Sequence, residues 1–311
     1  MNKSIILTVV LVCIILIVSF LGIITNSNIA NENKSLKETI DKIKKQQPTI
    51  VFHVSEKGEN YQYARLPNAS YTYDQILALN STCEIALLPE YKGNLNWTEE
   101  LSWIATNFEG PKGIPIMLEV FGGGSESTPT PMLSTEQISE AKEISNVKYI
   151  RIAEVISWHI ENNIVFPRDY VKEILEFCKS NDIQVFWTEW KDDFPEKNVE
   201  TFTAIKNYIA GYEDIVTVSF STNSQELEPV DGYLKLSQNF THWGTSIQPW
   251  YWNTTRNQDL MTCPPSLILE HTLTAKALGA KIIQYEPYWY FFNYAGSPND
   301  NLKLLLTYLQ N

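Results

Sequence analysis

Four glutamates, Glu119, Glu154, Glu189 and Glu286, each stand at or near the C-terminal end of a short apolar run. The runs are GIPIMLEV (113–120), KYIRIAEV (148–155), IQVFWTEW (183–190) and AKIIQYEPYW (280–289). A carboxyl group among apolar neighbours resists ionisation, whereas one beside a cation stays ionised. Two carboxyl groups whose surroundings differ in this way supply an acid and a base to one reaction. Rings crowd the same places. Trp158 follows Glu154, Trp187 and Trp190 flank Glu189, and Tyr288 and Trp289 follow Glu286. Trp250, Tyr251 and Trp252 close another run, WGTSIQPW (243–250). Flat rings stack on sugar faces, so rings beside paired carboxyls predict a carbohydrate cleft and glycoside hydrolysis.

Elements must bring these residues together. Eight apolar runs recur at intervals of roughly 30 residues, the other four being TIVFHV near 50–55, EIALLPE (84–90), IVTVSFST (215–222) and the 243–250 run. Helical patterns lie between most of them. TEELSWIATNF (98–108) is one, and TEQISEAKEIS (135–145) opens with a capping box at Ser134 or Thr135. PRDYVKEILEFCKSND (167–182) starts with proline and repeats Val171, Ile174, Leu175 and Cys178 at helical spacing. ETFTAIKNYIAG (200–211), PPSLILEHTLTAKALG (264–279) and PNDNLKLLLTYLQ (298–310) follow the same logic, while QELEPVDGYLKLSQNF (225–240) is interrupted by Pro229 and Gly232. Alternating strands and helices predict an α/β chain, a single (β/α)₈ barrel over residues 48–311. Such a barrel gathers its C-terminal strand ends on one face. Period-two alternation sets Glu154 in a row with Ile150 and Ile152, Glu189 with Val185 and Trp187, and Glu286 with Ile282 and Gln284. These rows are expected to point inward.

The first 25 residues hold Lys3 and then an uncharged apolar stretch from Ile5 to Ile24, long enough to span a bilayer. No small-residue exit site follows, so a retained signal-anchor is expected, with a cleaved signal and secretion as the alternative. Lys3 sets the short N-terminal side in the cytoplasm and the barrel outside a cell membrane crossed once. Residues 26–47 are polar with a thin stripe of Leu36, Ile40 and Ile43, which predicts a helical stalk. Beyond the apolar stretch, six Asn-x-Ser/Thr sequons, at Asn33, Asn68, Asn80, Asn96, Asn239 and Asn253, agree with a glycoprotein facing outward.

Net charge of −12 argues against nucleic acid as a partner. There is no Cys-x-x-Cys pair, and no metal or other cofactor is expected. Outside the apolar stretch Cys83, Cys178 and Cys263 allow one unassigned disulfide. The chain has no Gly-x-Ser-x-Gly elbow, phosphate loop or His-Glu-x-x-His motif. GGGSES (122–127) lacks a phosphate-binding lysine and reads as a rim loop.

WYWNT (250–254) and SLILEHTLTAKALGAKIIQYEPYWYFFNYAGSPNDN (266–301) resemble the catalytic barrel of family 98 glycoside hydrolases. VFWTEWKDD (185–193) and RIAEVISW (151–158) resemble two further strand ends of that family. The resemblance implies an inverting endo-β-galactosidase-type barrel with Glu154 as general acid and Glu286 as one of two acidic residues that activate water. The family's second acidic residue, an aspartate after the sixth strand, has no counterpart here. Ser221, Thr222, Asn223 and Ser224 stand there, and Asp231 is a distant substitute. Asparagine orients water but cannot take its proton. Glu286, Glu189 or Glu119 would then have to serve as the base, and Glu119, Glu189 and Asn223 are expected to contact substrate together with the clustered rings. The expected function is glycan hydrolysis by an anchored extracellular protein. The alternatives are an inactive glycan-binding barrel and an envelope scaffold.

Overall fold

The computed structural model describes residues 47–57, 63–65, 69–79, 82–89, 97–108, 110–122, 132–156, 167–190, 199–223, 229–248, 250–251, 261–262, 265–286, 290–293 and 296–309. The chain divides into two units, Met1–Gln46 and Gln47–Asn311. The expected anchor and stalk lie outside the described residues. Among the described residues no helix is long and apolar enough to cross a membrane.

The second unit is a (β/α)₈ barrel. Its strands are β1 Thr49–Lys57, β2 Ile85–Pro89, β3 Gly110–Gly122, β4 Ser145–Ala153, β5 Gln184–Trp190, β6 Val216–Asn223, β7 Trp243–Gln248 and β8 Ile282–Tyr285. Each pairs in parallel with the next, and β8 closes on β1 through Thr49↔Ile282 to Phe52↔Tyr285. The intervening helices are α1 Ala69–Leu79, α2 Trp97–Asn107, α3 Thr135–Ile144, α4 Arg168–Ser180, α5 Val199–Tyr208, α6 Pro229–Asn239, α7 Pro265–Ala277 and α8 Asp300–Leu309. Two short antiparallel pieces decorate the barrel. Tyr63–Arg65 pairs with the end of β1, and Trp250–Tyr251 pairs with Met261–Thr262.

Local chemistry explains the helices. Ser134 caps α3 and closes a capping box with Gln137. On α4, Val171, Ile174, Leu175 and Cys178 form one buried face. Pro229 does not interrupt α6 but begins it, where its missing N–H costs nothing. Gly279 ends α7 with φ of 88°, a conformation that disfavours residues with a Cβ. The α1 helix has no counterpart in the sequence reading. Only Ala69, Thr72 and Ile76 are buried on it, too thin a stripe to stand out.

The strands are buried on both faces, as parallel strands between a core and a helix layer must be. Their outward residues, including Ile50, Phe52, Ile116, Leu118, Ile150, Ile152, Val185, Trp187, Val218 and Ile283, pack with the helices. A smaller inner core consists of Val51, Ala86, Leu88, Met117, Tyr149, Phe186 and Ile282. This division corrects two of the three expected rows. Ile150 with Ile152, and Val185 with Trp187, face the helices, and only Ile282 and Gln284 run inward toward Glu286. The barrel is tightly filled at Gly244, where an added Cβ would lie 2.5 Å from the Ile282 carbonyl and 3.0 Å from the Phe186 ring.

Candidate active site

Above the inner apolar layer, the inward positions turn polar. Two residues beyond Val51, Met117, Tyr149, Phe186 and Ile282 come His53, Glu119, Arg151, Thr188 and Gln284, all buried. Ser219 and Ser221 on β6 and Ser246 and Gln248 on β7 alternate with the outward Val218, Phe220 and Ile247, and are buried too. Of these inward residues, only Glu119 was a candidate for the site in the sequence, where Gln284 was read as part of an inward row. The signal was available: a polar residue at every second position of a run otherwise read as apolar.

Charge in this layer is concentrated on β3, β4 and β8. Arg151 donates from Nη1 to Glu119 Oε2 at 2.5 Å, and from Nη2 to Glu286 Oε2 at 3.4 Å. Arg151 is 4% exposed and Glu119 is 7% exposed. Glu286, the first residue after β8, keeps 13% of its side chain exposed. Its backbone N–H still bonds to the Ile247 carbonyl, so the sheet fixes its root. Gln284 Nε2 lies 3.5 Å from Glu286 Oε2 and 2.6 Å from His53 Nε2, and that imidazole nitrogen is 3.7 Å from the same carboxylate oxygen.

Glu154 arrives by a different route. β4 ends at Ala153, and Glu154 adopts φ of 58° while its N–H bonds to the Thr188 carbonyl at 2.7 Å. A side chain in this left-handed region costs about 1 kcal/mol or more. The turn takes Glu154 off the outward Ile150–Ile152 row. Its carboxyl meets the fields of Glu286, Arg151, Glu119 and Glu189. Burial first, then the negative charge of Glu286, pushes its pKa up to about 8, against a smaller downward pull from Arg151. At neutral pH Glu154 is a carboxylic acid with a proton to give.

Glu189 belongs to the wall. It is fully buried and accepts hydrogen bonds at Oε1 from Trp187 Nε1 at 2.7 Å and from the Ile156 backbone N–H at 3.1 Å. It thereby ties β5 to the turn that carries Glu154. Trp187 is also fully buried and stacks on Tyr208 of α5, with ring centroids 6.2 Å apart. Both residues therefore stand apart from the inner row. The rings around Glu286 divide similarly. Tyr285, Phe291 and Phe292 pack on Phe52 of β1, and Tyr290 packs on Phe291, which accounts for part of the aromatic crowding by core packing.

Trp158, Trp252, Tyr288 and Trp289 lie outside the described residues, as do the side chains of Trp190, Asn223, Trp250 and Tyr251. Cys83 and Cys178 are buried thiols outside any disulfide, and burial pushes the Cys178 pKa up to about 12. Among the described residues no cluster of His, Cys, Asp and Glu is arranged to hold a metal.

No protein-family model matches the chain. No curated protein matches it either. Solved structures do. The native form of CbXyn10B aligns with a TM-score of 0.51 at 12% identity, over 86% of this chain and 98% of that one. An endo-1,4-beta-xylanase from Caldicellulosiruptor owensensis aligns over the same shares at 12% identity, with a TM-score of 0.47. At this identity the first likeness is one of fold, and it agrees with the closed eight-stranded barrel.

Proposed function

We propose that the barrel is a glycoside hydrolase-like protein acting on glycans or polysaccharides, with Glu154 as general acid and Glu286 as the base. The observation that carries this reading is the contrast between the two carboxyls. Glu154 is held protonated by burial and by Glu286, while Glu286 faces a guanidinium at 3.4 Å. In the reaction, Glu154 gives its proton to the glycosidic oxygen as the bond from that oxygen to the anomeric carbon breaks. Water attacks the anomeric carbon and passes a proton to Glu286. Return of that proton to Glu154 through solvent restores the site. The sequence resemblance to family 98 favours inversion, which requires the two carboxyls to stand about 6.5–9.5 Å apart. Trp158, Trp190, Trp250, Tyr251, Trp252, Tyr288 and Trp289 are the proposed sugar platforms, with Asn223 and Glu119 as polar contacts.

The testing experiment measures release of reducing ends from a panel of neutral and acidic glycans. Wild type should hydrolyse at least one, and Glu286→Gln should lose about 10²–10⁴-fold of that rate. A second reading, a glycan-binding barrel without hydrolysis, is favoured by the inner row of β6. It offers Thr217, Ser219 and Ser221 but no carboxylate. Binding without release of reducing ends by wild type would select it. The anchored location belongs to the same proposal and rests on the apolar stretch from Ile5 to Ile24.

A further inference from the structure

We propose that Arg151, clamped by Glu119, is a positioning residue that seats the Glu286 carboxyl and offsets the negative charge facing Glu154. The inference rests on the hydrolytic reading and deepens it, because it says what sets the charge that faces Glu154.

The geometry carries the argument. Arg151 rises from the inner face of β4 and reaches Glu119 on β3 with one nitrogen and Glu286 after β8 with another. An arginine stays charged at any working pH, so the bridge is permanent. Its two contacts differ: 2.5 Å to Glu119 and 3.4 Å to Glu286. The cation is thus seated on Glu119 and leans toward Glu286. With both carboxylates ionised, the three groups sum to one negative charge beside the Glu154 carboxyl.

The charged and titratable groups facing this site come from five places. They are His53 on β1, Glu119 on β3, Arg151 on β4, Glu189 on β5 and Glu286 after β8. Against Glu154, three carboxylates raise its proton affinity and one guanidinium lowers it. Against Glu286, Arg151 is the cation in contact, and Gln284 and His53 contribute one nitrogen each from below. Removing the charge of Arg151 therefore raises the proton affinity of Glu154. Removing the charge of Glu119 acts in the opposite direction. Glu154 loses one repelling neighbour, and Arg151 is free to close on Glu286. A merely structural role for the bridge gives no such opposed pair of shifts.

The test is a carboxyl carbon NMR titration of the full-length protein carrying ¹³Cδ-labelled glutamate, with Glu154→Gln and Glu286→Gln used for assignment. Glu119→Gln should lower the Glu154 midpoint by about half a pH unit or more. Arg151→Gln should raise the Glu154 midpoint, and Arg151→Lys should restore most of that shift. Because Arg151→Gln leaves two carboxylates in a buried site and risks misfolding, Glu119→Gln and Arg151→Lys carry the test where it does. An unmoved Glu154 midpoint in folded Glu119→Gln would overturn the proposal, as would an upward shift. The titration needs no substrate. Opposed shifts in a protein that hydrolyses no glycan would uphold the charge division and sink the hydrolytic reading alone.

Discussion

At the residue scale, Glu154 is defined by a backbone dihedral as much as by its carboxyl. The φ of 58° removes it from the outward row of β4 and exposes it to the field of Glu286. A pKa raised from 4.5 to about 8 links folding to pH. Between those values the native state holds a proton that the unfolded chain has released. The contribution is complete below the unfolded value and is lost as pH rises through the folded one. Wild type should therefore lose stability relative to Glu154→Gln between about pH 5 and 8, on the order of 3 kcal/mol for a partly exposed group. Denaturant midpoints across that window check this, and parallel curves for the two proteins would refute the shift. Under the proposed mechanism the same residue would set the upper pH limit of hydrolysis, and the rate should fall above about pH 8 as the acid loses its proton.

Elements place these residues, and two substitutions probe how tightly. Gly244→Ala would force a methyl against the Ile282 carbonyl at 2.5 Å, a backbone atom that cannot swing aside. It should cost about 1–3 kcal/mol, read as a lowered urea midpoint. Ser134→Ala removes one side of the α3 capping box and should cost about 1 kcal/mol. The eight strands were legible because each is a dense apolar run between polar segments. The inward face was not. With both faces of a parallel strand buried, Ile150 and Ile152 look the same whether they meet helices or the barrel axis. Arg151 between them held the answer, since an inward cation marks the polar layer. The positive φ of Glu154 had no sequence signal either, because glutamate has no preference for that region and the surrounding contacts impose it. Tryptophan was over-read: Trp187 serves the wall, where its indole holds Glu189 and its ring covers Tyr208.

For the whole molecule, the polar end of a closed barrel collects a guanidinium, three carboxyls and an imidazole over an apolar floor. Closure of the barrel sets β8 beside β1, which brings side chains from β1, β3, β4 and β8 to one end. The N-terminal apolar stretch predicts that the protein fractionates with membranes and is released by proteolysis within residues 26–47. A mature N-terminus beyond Ile24 would show cleavage instead. The central claim is that Glu154 gives the proton to the leaving group. Its most direct test compares wild type and Glu154→Gln on matched glycosides with a poor sugar leaving group and an acidic aryl leaving group. The account predicts a loss of about 10²–10⁴-fold on the sugar and a much smaller loss on the aryl glycoside, which needs no proton to depart. Equal losses on the two would contradict it.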